Sequence, residues 1–235
     1  RGVGEIDRAE VVREQLWTDK RDITGPFDVI GDVHGCHTEL VELLDSLGWH
    51  VTAMGDNAAH PEGRQAIFLG DLVDRGPASP AVLRLAMNMV RSGAALCIPG
   101  NHENKLAKAL DGRNVTLSHG LAETMAQLAA EAPEFRAEVA MFIDGLVSHA
   151  VLDGGSLVVA HAGLPEAMHG RSSAAVRSFA LYGDTTGETD EFGLPKGPNE
   201  KFWFGADAAR RDLFVRVMYG ARTSLLVGGV ATGIA

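Results

Sequence analysis

The sequence predicts an α/β domain whose polar loops gather at the carboxyl ends of its strands. Three observations predict it. Short apolar runs recur at 27–30, 66–69, 94–98 and 156–160, each closed by a glycine, a proline–glycine pair or a histidine. Between them lie stretches with apolar residues at helical spacing. Each loop that follows a strand carries acids, amides or histidines. Alternating strand and helix signals indicate an α/β sheet, and ligands bind in such sheets beyond the carboxyl ends of the strands.

Taken in order, 27–30 ends at Gly31 and has a buried-strand pattern. Over 39–47, Leu40, Leu43, Leu44 and Leu47 recur at helical spacing, and Gly48 stops the run. A second strand over 66–69 precedes Gly70. Ser79 can cap a helix over 80–91, with Pro80 at the tolerated first position. A third strand over 94–98 ends at Pro99-Gly100. Helices are expected over 103–110 and 121–131, and Pro133 opens another over 134–144. A fourth strand over 156–160 runs into His161. The segment 182–201 is a long Gly/Pro/Thr-rich loop, with a composition break near residue 196.

At 235 residues the chain can bury a sizeable core. Its 46% hydrophobic and 22% charged residues are ordinary for a globular protein. A net charge of -10 argues against a broad nucleic-acid-binding face, although it leaves room for a local basic pocket. Two cysteines, Cys36 and Cys97, make no disulfide framework and are expected as buried free thiols, which fits a cytoplasmic location. The charge-rich residues 1–24 are expected as a linker or the tail of a preceding domain. The apolar run 224–235 is shorter than the roughly 20 residues a membrane span needs, and residues 1–197 are expected to hold no stable membrane association.

Four motifs carry the chemistry: Gly31-Asp32-Val33-His34-Gly35, Gly70-Asp71-Leu72-Val73-Asp74-Arg75-Gly76, Gly100-Asn101-His102-Glu103 and His161-Ala162-Gly163. Each follows a predicted strand. Two divalent cations roughly 3.5–4 Å apart can clamp the attacking and leaving oxygens of an in-line displacement. Asp71, on the middle loop, is the natural shared ligand. Asp32 and His34 alternate around Val33, so an extended backbone would aim both at one metal. The Asn101 amide oxygen and the His161 imidazole would serve the second. Mixed oxygen and imidazole donors suit manganese, iron, nickel or zinc. His102 is placed to protonate a leaving alcohol, Asp74 to hold its tautomer, and Arg75 to grip a phosphate bidentately. The expected nucleophile is hydroxide on the metals. His37, His50, His60, His119, His149 and His169 are expected at helix-surface, turn or loop positions, with His169 near enough to His161 to line the cleft.

These motifs resemble the calcineurin-like metallophosphoesterases, and their phosphoprotein-phosphatase branch most closely. The resemblance implies two packed mixed sheets flanked by helices, two divalent metals, and the residue roles given above. The wording at 25–31, at Gly112-Arg113-Asn114-Val115 with Ser118-His119-Gly120-Leu121, and at 182–190 resembles the phosphatase domain of bacterial polynucleotide kinase-phosphatase. That implies a metallophosphoesterase domain over 25–197, flanked in a longer parent chain by kinase and ligase domains. It implies removal of 2′-, 3′- or 2′,3′-cyclic phosphates from RNA ends, with manganese or nickel. A diadenosine-tetraphosphatase or a protein serine/threonine phosphatase of the same superfamily is the alternative.

After about Gly197 the chain departs from the family, and neither the family's Gly-His-Thr block nor its late Asp-Thr-Gly block occurs. The family continues to a Gly-His-Thr block with a further metal-ligating histidine, but no histidine follows His169 here. Residues 198–235 resemble instead the permeases of oligopeptide ABC transporters, in Tyr219-Gly220-Ala221-Arg222 and Ser224-Leu225-Leu226-Val227-Gly228. The expectation is a phosphoesterase domain incomplete in its C-terminal sheet, joined to a foreign segment; an inactive chimeric fragment is the corresponding alternative.

Overall fold

The computed structural model describes residues 16–183. In chain order its elements are β1 (Phe27–Ile30), α1 (His37–Ser46), β2 (His50–Val51), β3 (Ala58–Ala59), β4 (Gln65–Phe68), α2 (Ser79–Arg91) and β5 (Ala95–Cys97). There follow α3 (Asn101–Leu110), α4 (Leu121–Ala129), α5 (Pro133–Asp144), β6 (His149–Leu152), β7 (Leu157–Ala160) and α6 (Ala174–Tyr182). No described helix is long and apolar enough to cross a membrane. Residues 1–15 and 184–235, with the expected linker, the foreign segment and most of the 182–201 loop, lie outside the described residues.

β1, β4 and β5 form a parallel sheet in the order β1-β4-β5, with Ala66 opposite both Asp28 and Ala95. β6 and β7 form an antiparallel hairpin, and residue 19 bridges alongside Val151. Strand side chains alternate between faces, and that alternation divides the core. Ile30, Ala66, Phe68, Ala95 and Cys97 join a cluster with α1, α2, α3, α4 and α5. Phe27, Ile67, Leu69, Leu96 and Ile98 face the other way, onto Ala150, Leu152, Leu157 and Val159 of the hairpin. Two sheets therefore pack as expected, with the helices on the outer face of the parallel one, but among the described residues neither is mixed: one is parallel and the other an antiparallel hairpin. Among the described residues the second sheet contains only β6 and β7. Val29, on the face that meets it, is 51% exposed.

α2 is the central helix, with Val82, Leu83, Leu85, Ala86, Met87 and Met89 all buried. Its charged residues turn outward: Arg84 pairs with Glu131 and Arg91 with Glu138. Ser79 is not the predicted cap. Ala78 holds that position, and the Ser79 hydroxyl turns inward to the Asp74 amide N–H and to Thr124. The strand at 149–152 is absent from the sequence reading, although Asp153-Gly154-Gly155 marks a turn between it and the run that follows; all four of its residues are buried. His149 is 0% exposed and accepts the Gly170 N–H at 3.0 Å, which corrects its expected surface or loop placement. Of the two free thiols, Cys97 is buried but Cys36 is partly exposed.

Candidate metal centre

All four motifs sit at carboxyl ends of strands. Asp32 and His34 follow β1, Asp71 follows β4, Asn101 follows β5 and His161 follows β7. α3 starts two residues earlier than predicted, so Asn101 and His102 occupy its first turn and inherit a rigid backbone. Seven described non-glycine residues have positive φ, and five of them are Asp32, His34, Asp71, Asp74 and Arg75. Such conformations cost of order 1–3 kcal/mol each and persist only where the surroundings hold them. Here they turn the two loops after β1 and β4 sharply toward one point. Gly100 has a complementary role: a Cβ there would collide with Asp71 Oδ1, so only glycine lets α3 approach that carboxylate.

Asp71 is the hub. Its Oδ2 lies 3.4 Å from His161 Nε2 and 3.9 Å from both His34 Nε2 and His102 Nε2. His161 Nε2 is 3.1 Å from Asn101 Oδ1. Ligand atoms of Asp32, Asp71 and His161 lie within 4.8 Å of one another, as do those of His34, Asp71 and His102. Asp32 and His34 thus fall into different groups. The extended backbone expected between them is absent, because φ is +52° at Asp32 and +48° at His34 and the chain coils instead of alternating.

The donor set fits cations. His34 Nδ1 is 2.9 Å from the Val73 carbonyl oxygen, and His161 Nδ1 is 2.7 Å from that of Leu69. A carbonyl only accepts, so each Nδ1 carries a proton, which leaves Nε2 as the nitrogen that can offer a lone pair inward. His34 Nε2 is buried and has no hydrogen-bond partner. The His161 lone pair faces the Asn101 and Asp71 oxygens. Facing acceptors repel unless a positive charge lies between them, and backbone-anchored imidazoles are the usual form of metal-ligating histidine. Oxygen and imidazole donors suit manganese, iron, nickel or zinc, whereas Cys36 Sγ is engaged with the His34 carbonyl.

His102 stands beside this cluster, its ring edge-on to His34 at 4.8 Å. Its Nδ1 is 2.6 Å from Asp74 Oδ2. Asp74 is fully buried, and its amide N–H donates to Thr124 Oγ1 at 3.0 Å. The Asp74 hydrogen bond lifts the His102 pKa above its ordinary value; burial opposes this, Asp71 reinforces it and Arg75 opposes it. Arg75 is exposed and pairs with no carboxylate among the described residues.

Glu103 is the residue the sequence reading leaves without a role. Fully buried, it accepts N–H groups from Gly100, Asp71 and Leu72 at 2.7 Å each and from Val73 at 3.3 Å. Burial pushes its carboxyl pKa up, Asp71 adds to that, and the backbone donors oppose it. It fixes the Asp71 loop against the start of α3. Its spacing from Gly100 is that of a capping box, the one signal in the sequence that points to it. His169 Nε2 binds the Leu164 carbonyl at 3.0 Å.

Residues 25–216 match the family of Calcineurin-like phosphoesterases. The match crosses residue 197, so the resemblance does not stop at the boundary the sequence reading sets there. The chain is 39% identical over 220 residues to the bis(5′-nucleosyl)-tetraphosphatase PrpE (asymmetrical) of Halalkalibacterium halodurans, covering 88% of this chain and 89% of that one. It is 40% identical over 173 residues to the protein of the same name from Bacillus subtilis (strain 168), covering 72% and 70%. A crystal structure of a candidate diadenosine tetraphosphatase aligns with TM-score 0.47 and 27% identity, over 68% of this chain and 61% of that one.

Proposed function

Because the chain belongs to the Calcineurin-like phosphoesterase family, we propose that it is a metal-dependent hydrolase of bis(5′-nucleosyl) tetraphosphates. The observation that carries this substrate class is the 39% identity to a relative of that name along 89% of the relative's length. The RNA-end reading gives way to it. That reading rests on wording at 25–31, 112–121 and 182–190, and the relatives above are named for dinucleoside tetraphosphates.

In this reading Asp32, His34, Asp71, Asn101 and His161 hold two divalent cations, manganese first, with nickel, iron or zinc as substitutes. Cations held there supply Lewis acidity at the phosphoryl oxygens and an activated water. The residues do the rest. Asp71 holds the two groups of ligands together, and the Val73 and Leu69 carbonyls orient the imidazoles. His102, its Nδ1 engaged by Asp74, presents Nε2–H to the oxygen that leaves. Arg75 offers a planar fork to the phosphate undergoing attack.

The test is product analysis. Diadenosine tetraphosphate, incubated with the protein and manganese, should give ATP and AMP, the asymmetric cut. An oligoribonucleotide ending in a 2′,3′-cyclic phosphate should turn over at least tenfold more slowly in kcat/KM. Preference for the RNA end, or full activity in Asp71→Asn, would sink the reading.

A further inference from the structure

Beyond the metal centre, the loop between α3 and α4 packs on the Asp74-Arg75 turn and is tied to Lys105 of α3. Gly120 packs directly on the Asp74-Arg75 turn, where a Cβ would strike the Arg75 amide nitrogen. Immediately before it, Lys105 Nζ donates to Ser118 Oγ at 2.8 Å and to the Ser118 carbonyl at 3.3 Å. Ser118 Oγ is in turn 2.9 Å from His119 Nδ1.

An ammonium only donates, so the Ser118 oxygen receives from Lys105, and the same oxygen meets His119 Nδ1. His119 itself is exposed. Its backbone is strained as well, with φ +61° in a non-glycine residue. Among the described residues neither Lys105 nor Arg75 pairs with a carboxylate, although the chain carries a net charge of -10. Lys105 lies three residues after His102 on α3, on the same face and about 4.5 Å further along the axis.

From these placements we infer that Lys105 and His119 clamp the polyphosphate chain beyond the scissile phosphate, next to the one that Arg75 grips. The group that leaves is attached to the oxygen facing His102, so the remaining phosphates of a polyphosphate continue over that side of the site. Orthophosphate reaches only the metal centre; a longer polyphosphate also reaches Lys105 and His119. Ser118 is a positioning residue that ties Lys105 to His119. The clamp deepens the tetraphosphatase reading and rests on it for its substrate class.

Calorimetric titration of the manganese-loaded protein with tripolyphosphate and with orthophosphate tests the clamp, with manganese in excess of both. Lys105→Met and His119→Gly should each weaken tripolyphosphate about tenfold, while orthophosphate changes less than twofold. His119→Gly should melt at or above the wild-type temperature, since glycine relieves the positive φ; this separates lost binding from lost folding. Equal weakening of both anions, or no change in either, overturns the clamp. If diadenosine tetraphosphate is not hydrolysed while the selective loss of tripolyphosphate holds, the functional reading fails and the clamp stands.

Discussion

His102 Nδ1 and Asp74 Oδ2 lie 2.6 Å apart, the shortest link between the general acid expected here and the interior. Asp74 is 0% exposed, so this bond does not compete with water, and it fixes which nitrogen of His102 carries the outward proton. Asp74→Asn and His102→Ala should each lower kcat by about 100-fold, in the range expected for a lost general acid. The double variant should be hardly worse than either single one, because the two residues act as a unit. The loss should grow with the pKa of the leaving group, larger for an alkyl phosphate than for p-nitrophenyl phosphate. Steady-state kinetics on both esters checks this; additive losses would separate the two residues.

Glu103 should matter for folding more than its lack of a chemical role suggests. In Glu103→Gln the new amide N–H₂ faces backbone donors, and at least one buried N–H loses its acceptor. An unfolding free energy lower by about 3 kcal/mol is expected from the cost of unpaired buried groups. Urea denaturation of the apo protein reads this, and a change under 1 kcal/mol would show that water replaces the carboxylate.

The orphaned His34 Nε2 predicts stabilisation by metal. Cations that bind only the folded chain add about 2.7 kcal/mol at a hundredfold excess over Kd. Thermal melting with manganese and with chelator should therefore differ by several degrees. The difference should vanish in Asp71→Asn, which removes the shared carboxylate, and persist in Arg75→Ala.

Asp28 gives a pH-dependent contribution away from the site. Its carboxylate accepts Trp49 Nε1–H and Arg64 Nε–H at 2.9 Å each and pairs with the Arg64 guanidinium. The Arg64 hydrogen bond, against burial, holds its pKa below the usual carboxylate value. A lowered folded pKa means the stabilisation is complete above the unfolded value of about 3.9 and fades as pH falls through the folded one. Asp28→Asn should cost on the order of 2 kcal/mol at pH 7 and less at pH 3. Parallel stability curves over pH 2–6 would remove this role from Asp28.

Between the sheets, Ile67 is 0% exposed and packs against the hairpin. Ile67→Ala should lower stability by about 3 kcal/mol through lost burial and a residual cavity. A much smaller loss would mean that the hairpin closes onto the gap.

Much of this protein is determined by its sequence alone. Apolar runs ending at Gly31, Gly70, Gly100 and His161 define strand ends, because buried strands must stop where glycine and polar residues take over, and the order of the motifs points to the candidate ligands. Helix starts are less legible: Asn101 and Ser79 enter their helices through tertiary contacts that propensity does not register. The split of Asp32 from His34, the burial of His149 and the four-donor grip of Glu103 were decided by tertiary structure. So was the seating of Ser118 between Lys105 and His119. Each depends on groups far apart in the chain meeting at fixed distance, as Glu103 meets Asp71 across 32 residues. Local pattern carries only periods of two and 3.6 residues; it specifies which face is buried, whereas packing specifies what lies opposite.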